Sequence, residues 1–255
     1  MIRSTLAALG LFGLAACDQA ADPVTPEAAL SEPGCHSVEH GGDAYTICTY
    51  SVRMHDIRLF HSDANGEPYR QFNILGRELD EQGETLIFAM NGGMYHEDRS
   101  PVGFYRDSYG DQANVNTNDG PGNFHLKPNG VFWLGHEQAG ITESQAYLDA
   151  GTDPLFATQS GPMLLIEGAL HPGLNPDGTS HRRRNGVGVS ADGETVYFAI
   201  SDAIVTFHDF ATLFRDVIGV PNALFLDGQV SRIYAPEIER NEIGSDLGPI
   251  VGVVE

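Results

Sequence analysis

The chain has 255 residues, of which 35 are Asp or Glu and only 14 are Lys or Arg, so its formal net charge is −21 at pH 7. A field of this sign repels nucleic acid and anionic lipid, which excludes binding to either through overall charge. An anionic substrate would have to be met by a local group of cations.

The N-terminal residues have the pattern of an exported lipoprotein. Arg3 precedes an apolar run over residues 6–16, and the four residues LAAC ending at Cys17 resemble a lipobox. The run is shorter than the roughly 20 residues that a membrane-spanning helix needs. We therefore expect residues 1–16 to be a signal peptide and Cys17 to carry the lipid that tethers a periplasmic or cell-surface protein. An ordinary secretory signal with an incidental cysteine is the alternative.

The rest of the chain divides into a spacer and one domain. Residues 17–34 are rich in Ala, Pro and acidic residues without an apolar period, which predicts a flexible spacer. Residues 35–255 are long enough for one domain with a sizeable core. Cys35 and Cys48 remain as an even pair in an oxidising compartment, so we expect a disulfide that stabilises the fold by about 3 kcal/mol. Two reduced core cysteines are the alternative.

Short apolar runs alternate with glycines along this domain, which predicts strands over residues 45–52, 85–90, 131–134, 163–166, 195–200, 223–226 and 250–254. Residues 207–217 have apolar side chains at helical spacing and lie between two of these runs. This order predicts a βαβ unit in which the strands at 195–200 and 223–226 are parallel. The fold class that follows is α+β: a single β-rich domain with a mixed sheet flanked by a few helices.

Four segments place glycines and polar side chains at the ends of predicted strands, where a rigid scaffold commonly holds functional loops. Singly, each is typical of an ordinary turn. The segments are Asn91-Gly92-Gly93-Met94-Tyr95, Ser160-Gly161-Pro162, Arg184 with Gly188, and Leu226-Asp227-Gly228 with Ser231.

In this order the four motifs resemble the phosphodiester glycosidase domain, over most of residues 85–236. The resemblance implies hydrolysis of a sugar that is linked through its anomeric oxygen to a phosphodiester. Many members have a second glycine where this chain has Gln229, and a side chain there narrows the space beside Asp227. The resemblance therefore does not extend to the identity of the sugar.

The implied reaction has a transition state like an oxocarbenium ion, which glycosidases usually stabilise with two carboxylates. The departing phosphate monoester is a weak base, so it needs electrostatic stabilisation more than protonation. Arg184 is the expected phosphate-binding residue, because a guanidinium is a planar fork that matches phosphate oxygens. A solvated arginine run paired with Asp177 and Glu194 is the alternative. The other expected substrate contacts are Asn91, Gly92, Gly93, Ser160, Gly161 and Gly228.

Asp227 is the leading catalytic carboxylate, because it ends a predicted buried strand and precedes a glycine. A turn-capping aspartate is the alternative. Glu97 is the second catalytic candidate, and nothing in the spacing decides between it and Asp98. His125 and Lys127 lie in another glycine-bounded loop and are candidates for contacts to phosphate or sugar hydroxyls.

No cofactor is expected to be required. The sequence has neither a Cys-x-x-Cys pair nor the two histidines of a zinc protease helix, although ten histidines and many carboxylates would allow a divalent cation. The expected function is an envelope hydrolase whose partner is a carbohydrate phosphodiester and not a nucleic acid. The alternative is a non-catalytic lipoprotein that binds glycans or sugar phosphates in the same cleft. The sequence does not indicate the oligomeric state.

Overall fold

The computed structural model describes residues 30–255. The expected signal peptide, the lipidation at Cys17 and most of the expected spacer lie outside these residues. The last spacer residues belong to the folded unit, since Leu30 is buried and the first strand begins at Gly34. Within the described part of the chain, none of the helices is long and apolar enough to cross a bilayer.

Strands make up most of the domain. In chain order they are β1 (Gly34–His40), β2 (Asp43–Ser51), β3 (Asp56–Phe60), β4 (Leu86–Asn91), β5 (Tyr105–Asp107), β6 (Gly110–Ala113), β7 (Gly130–Leu134), β8 (Ala139–Glu143), β9 (Phe156–Ser160), β10 (Met163–Ile166), β11 (Ala169–Leu170), β12 (Asn185–Val189), β13 (Thr195–Ser201), β14 (Asn222–Asp227), β15 (Ile233–Ala235), β16 (Arg240–Asn241) and β17 (Ile250–Val254).

The helices are short by comparison. They are α1 (Phe72–Glu81), α2 (Ser144–Ala150) and α3 (Phe207–Leu213), which continues as a π-helical turn over Phe214–Ile218, and single 3-10 turns at Asn123–His125 and Pro236–Ile238. The domain is therefore α+β with a mostly β core, as predicted.

The strands form three sheets. The first has the order β1-β2-β13-β12-β14-β10-β11, the second β16-β15-β4-β17-β3, and the third β6-β5-β9-β7-β8. The sheets meet around one core, whose centre holds one phenylalanine from each: Phe88 of β4, Phe132 of β7 and Phe198 of β13. The Phe198 ring centroid lies 5.1 Å from that of Phe88 and 6.1 Å from that of Phe132. Aromatic packing of this kind stabilises a core beyond the burial of area alone.

The predicted βαβ unit is correct in the order of its elements and in the parallel direction of its two strands. The two strands are not hydrogen-bonded to each other. β13 and β14 run in the same direction and are joined through α3, but β12 lies between them and is antiparallel to both. All ladders between the described strands are antiparallel, so the first sheet is not mixed. Sequence order alone could not reveal the inserted strand, because β12 comes before β13 along the chain.

α3 forms where the spacing of apolar residues predicted it. Thr206 caps its start by accepting a hydrogen bond from the Asp209 amide at 3.1 Å. Phe210, Leu213 and Phe214 are fully buried against the outer face of the first sheet. The aromatic stripe of this helix is therefore core packing, and the helix braces the strands that carry the polar residues of the next section.

The Cys35–Cys48 disulfide is confirmed, with an S–S distance of 2.01 Å. The two cysteines are directly opposite each other in the β1–β2 hairpin. The bond thus fastens the edge strand β1 to its neighbour.

Candidate active site

One open cleft of about 1010 Å³ gathers several of the loops that the motifs indicated. It lies where β4 and β14 end, so that two different sheets contribute to its walls. Its lining residues are Met94, Tyr95, His96, Glu97, Arg99, Val102, Pro121, Gly122, Asn123, Phe124, His125, Ser180, Arg182, Asp227, Gly228, Gln229, Val230 and Ser245.

The floor of this region is a buried network of amides. Asn91 ends β4 and Asn185 begins β12; neither has any solvent exposure. Asn91 Nδ2 donates to Asn185 Oδ1 at 3.2 Å, and Asn185 Nδ2 donates to the Asn91 carbonyl at 2.8 Å. Ser231 Oγ lies 3.0 Å from Asn185 Oδ1 and 2.9 Å from the Asp227 carbonyl. Asn91 therefore positions the site from below and does not line the cleft.

Asp227 is the buried carboxyl group of the cleft, with only 8% of its surface exposed. Its Oδ1 accepts hydrogen bonds from the backbone amides of Gly228 at 2.5 Å and Gln229 at 2.8 Å. Burial raises the pKa of Asp227 above its ordinary value, against the opposing effect of backbone amides and of the Asn91 side chain. A fixed carboxyl group with a raised pKa suits proton transfer as well as charge stabilisation. Asp227 thus caps the turn, and the same position is compatible with a catalytic role.

Arg184 has no exposed surface and lies directly beneath the cleft. Its Nη2 donates to the Ser180 carbonyl at 2.6 Å, its Nε donates to the Val205 carbonyl at 3.0 Å, and its guanidinium carbon lies 3.6 Å from the centre of the Phe207 ring. Its Nη1 lies 3.4 Å from the position that a Cβ on Gly228 would occupy. Burial, followed by the charge of Arg182, lowers the Arg184 pKa to about 10. No carboxylate of residues 30–255 lies within salt-bridge distance of this cation, so its charge has no ion-pair partner in the described part of the chain.

The side chains of the neighbouring arginines lie in different places. Arg182 is exposed and lines the cleft, whereas Arg183 turns away and pairs with Glu242 through two hydrogen bonds of 2.7 Å. Neither Asp177 nor Glu194 pairs with the run, since Glu194 is bound to Arg53 and Asp177 makes no ion pair among the described residues. The alternative of an arginine run neutralised by those two carboxylates is therefore wrong.

The second carboxylate candidate, Glu97, is exposed on the cleft wall. Asp98 is not part of that wall, and its Oδ1 instead accepts hydrogen bonds from the amide and hydroxyl of Ser100. The geometry thus favours Glu97 over Asp98, which the sequence could not do.

Of the two candidates in the next loop, only His125 reaches the cleft. Its ring packs edge-on against Phe124 and its Nδ1 lies 3.0 Å from the Asn118 carbonyl. Lys127 points elsewhere, where its Nζ contacts Asp119 and the Thr117 carbonyl, both at 2.7 Å. The structure therefore does not bring Lys127 into the cleft.

The remaining motif residues shape the backbone around the site. A Cβ at Gly92 would lie 2.9 Å from the Val251 amide nitrogen, one at Gly93 would lie 2.7 Å from Thr158 Oγ1, and one at Gly161 would lie 2.7 Å from the Phe124 carbonyl oxygen. Ser160 is fully buried, and its Oγ lies 3.2 Å from the Leu226 carbonyl. These glycines permit close strand and loop contacts, and only Gly228 of the predicted contact glycines faces the cleft.

Sequence reasoning missed several residues of the site. Asn185 lies between Arg184 and Gly188 of the third motif and was given no role. Tyr95 and Arg99 follow the Asn-Gly-Gly turn by only a few residues. Arg232 is nine-tenths buried next to Ser231, and its Nη2 donates to the carbonyl of Ser245 on the cleft wall. Tracking each scarce cation to its nearest motif would have identified both arginines.

Within residues 30–255 no group of three or more His, Cys, Asp or Glu side chains is placed to hold a metal ion. The groups of the cleft that could take part in chemistry are two carboxyl groups, two histidines and two arginines in its wall, with two more arginines beneath it. A β scaffold presents them in one open cleft, and such a set of carboxyl and guanidinium groups suits hydrolysis of an anionic substrate.

Comparisons with known proteins agree with this class. The sequence profile of the phosphodiester glycosidase family matches residues 84–245, which is more than half of the chain. The chain is also 34% identical to the uncharacterized protein YigE of Escherichia coli (strain K12) over 229 residues, which cover 90% of this chain and 82% of YigE. This chain belongs to the phosphodiester glycosidase family, and it is a glycosidase-type hydrolase.

Solved structures share the fold at low sequence identity. The catalytic domain of zebrafish N-acetylglucosamine-1-phosphodiester alpha-N-acetylglucosaminidase, auto-inhibited by its pro-peptide, superposes with a TM-score of 0.57 at 13% identity, over 86% of this chain and 81% of that one. A hypothetical protein from Synechocystis gives the same TM-score at 12% identity, over 86% of this chain and 61% of that one. These similarities establish the fold.

Proposed function

We propose that this protein hydrolyses glycosyl phosphodiesters in the cell envelope, releasing a free sugar and a phosphomonoester. The observation that carries the proposal is the position of Asp227 in one cleft with Arg182, above the buried and unpaired Arg184. The sugar side of such a bond requires a carboxyl group, and the phosphate side requires a cation.

In this proposal the sugar lies against Asp227 and the phosphate lies toward Gly228. Positive charge develops on the sugar ring as the bond between the anomeric carbon and oxygen breaks, and a carboxylate close to the ring stabilises it. Negative charge develops on the departing phosphate, and the arginines on that side stabilise it without needing to move. Glu97, on the same cleft wall, is the proposed partner carboxylate for activating water.

The proposed location outside the cytoplasm has two supports. Residues 1–17 have the lipoprotein pattern, and the Cys35–Cys48 disulfide is of the kind that forms in oxidising compartments. We expect Cys17→Ala to shift the protein from the membrane fraction to the soluble exported fraction. Unchanged membrane association in that variant would refute the lipid anchor.

The test of activity is a screen of the detergent-solubilised full-length protein against a panel of glycosyl-1-phosphodiesters. Reducing sugar and phosphomonoester should appear in equal amounts. Asp227→Asn and Glu97→Gln should each lower kcat by at least about 10²-fold, the usual contribution of a general acid or base. Asp98→Asn is the matched control, because this exposed carboxyl group lies next to Glu97 but outside the cleft wall.

The phosphate-binding role has its own variant. Arg184→Lys keeps the positive charge and loses the planar fork, so it should lower kcat as well as kcat/KM, because the lost hydrogen bonds stabilise the charge that develops on the departing phosphate. No turnover of any phosphodiester by a folded wild-type protein, or full turnover by Asp227→Asn, would contradict the proposal.

A further inference from the structure

The scarce cations of this protein are distributed unevenly. Most of those in residues 30–255 have a carboxylate within salt-bridge distance: Arg53, Arg58, Arg70, Arg106, Lys127, Arg183, Arg215 and Arg240. Apart from the exposed Arg77 on α1, the arginines of this part of the chain without such a partner are Arg99, Arg182, Arg184 and Arg232. All four lie in or directly beneath the cleft.

These four arginines form two separate pairs. Arg182 and Arg184 are one pair, close enough that the charge of the first lowers the pKa of the second. Arg99 and Arg232 are the other pair, and both act on Tyr95, whose pKa is raised to about 12 by burial and by Asp227 and is lowered in part by these two cations. The pairs enter from different sheets, since Arg184 adjoins β12 and Arg232 adjoins β15.

The second pair has a strained backbone and hydrogen-bond donors without partners, as a binding site often does. Arg99 has a φ of 77°, a left-handed conformation that is costly for a residue with a side chain. Its guanidinium lies 5.4 Å from the centre of the Tyr95 ring, and its buried Nε has no hydrogen-bond partner among the described residues. Arg232 is 95% buried; its Nη1 donates to Gln71 Oε1 at 3.0 Å and its Nη2 to the Ser245 carbonyl, whereas its Nε likewise has no partner among the described residues. Buried guanidinium groups that lack both a carboxylate and a full set of acceptors are costly unless a ligand neutralises them.

Asp227 lies in the same cleft as Arg182 of the first pair and Arg99 of the second. Gly228 connects it to Arg184, because a Cβ there would lie 3.4 Å from Arg184 Nη1. Tyr95 lines the same cleft as Asp227, and the Arg99 guanidinium lies 5.4 Å from the centre of its ring. A sugar bound at Asp227 with its anomeric phosphate toward Arg184 would therefore leave Tyr95 and Arg99 free to contact another part of the same molecule.

We infer that the cleft takes a sugar with an anionic substituent at both ends, as in a chain of repeating glycosyl phosphodiesters, with Arg182 and Arg184 binding the phosphate at the anomeric end and Arg99 and Arg232 binding the next one. This inference rests on the proposed function for the identity of the scissile bond. A substrate with one phosphate would leave the second pair without a direct ion-pair partner among residues 30–255, since Asp246 and Glu242 act on these arginines only from beyond salt-bridge distance and pair with Arg70, Arg183 and Arg240 instead.

Binding of small sugar phosphates tests this directly. Glucose 1-phosphate, glucose 6-phosphate and glucose 1,6-bisphosphate are titrated into the full-length protein by calorimetry at fixed ionic strength. The bisphosphate should bind at least about tenfold more tightly than either monophosphate, since each pair adds charge-assisted hydrogen bonds. These ligands are phosphomonoesters, so their binding does not depend on hydrolysis of a phosphodiester.

Two variants show which pair of arginines binds which phosphate. Arg99→Gln should reduce bisphosphate affinity to that of glucose 1-phosphate, and Arg182→Gln should reduce it to that of glucose 6-phosphate. Arg77→Gln removes the same charge from an exposed site outside the cleft and should change neither affinity. Urea unfolding of each variant confirms that the fold is retained.

The inference is overturned if the bisphosphate binds no more tightly than the better monophosphate, if none of the three ligands binds, or if Arg77→Gln weakens binding as much as Arg99→Gln. The expected binding pattern together with an absence of phosphodiester hydrolysis would support the inference and refute the proposed function alone.

Discussion

Asn91 and Asn185 bind each other across the seam between two sheets, each amide donating one hydrogen bond to the other residue. Asn91 belongs to the second sheet and Asn185 to the first. Asn185 also pairs with Asp227 in the β12–β14 ladder, and the Asn91 side chain lowers the Asp227 pKa. The position of the proposed catalytic carboxyl group thus depends on how the two sheets are joined.

Asn185→Ala should therefore weaken both the fold and the site. It leaves Asn91 Nδ2 without its acceptor in a fully buried position, which we expect to lower the free energy of unfolding by about 2–4 kcal/mol. Urea unfolding measures this, and Asn65→Ala is the control because Asn65 is exposed and its side chain bonds only to Asp63. A loss below 1 kcal/mol would show that the seam contributes little.

Asp227→Asn should change how stability depends on pH. Because the folded-state pKa of Asp227 is raised, its contribution to stability is fully present below its unfolded-state pKa of about 4 and declines as pH rises through the folded-state value. Asparagine keeps the Oδ1 acceptor and does not titrate. Relative to the wild type, the variant should gain stability as pH increases from 4, reaching a plateau once the pH is above the folded-state pKa of Asp227. Urea unfolding at a series of pH values measures this difference, and a difference that stays constant would contradict it.

Gln229→Gly should widen the range of sugars accepted. Gln229 is exposed in the cleft beside Asp227, and only its backbone amide holds the Asp227 carboxyl group. Glycine retains that amide and removes the side chain. The ratio of kcat/KM for a bulky sugar phosphodiester to that for a small one should rise several-fold, whereas Gln138→Gly, in an exposed turn outside the cleft, should leave it unchanged. A ratio that does not move would place the specificity elsewhere.

Replacing both Cys35 and Cys48 with serine should lower the free energy of unfolding by about 3 kcal/mol, because the bond restricts the unfolded chain. Reduction of the wild-type protein should give a loss of similar size. Unfolding midpoints that do not respond to either treatment would show that the β1–β2 ladder alone suffices.

The sequence predicted the elements with a strong internal pattern. α3 has apolar residues at a helical period and a threonine cap, and β10 and β17 are continuous apolar runs, so each was found within a few residues of its observed position. The disulfide followed from parity and compartment. Asp227 and Arg184 were assigned to one site through the family resemblance. The structure places them near each other because Arg184 precedes β12 and Asp227 ends its antiparallel neighbour β14.

Other elements carry little local signal. The sequence of β12 is Asn-Gly-Val-Gly-Val. Its two glycines weaken the strand pattern, although the strand is buried along its whole length. β1 and β9 contain polar residues whose burial depends on the sheets they join. The burial of Arg184 likewise depends on Phe207 and Val205, which lie more than 20 positions away, so no local pattern distinguishes it from the exposed Arg182.

The disulfide in the edge hairpin also determines the path of mechanical load. A pull on the chain ahead of β1 passes from Cys35 through the S–S bond to Cys48, in the middle of β2. Residues 36–47 are bypassed, so the hairpin cannot unzip from its end under tension. β2 is in turn bonded to β13 over seven residue pairs, from Tyr45 to Ser51. Force on a membrane tether would thus be resisted inside the sheet, and the cleft at its far side would keep its shape until β2 itself was pulled free.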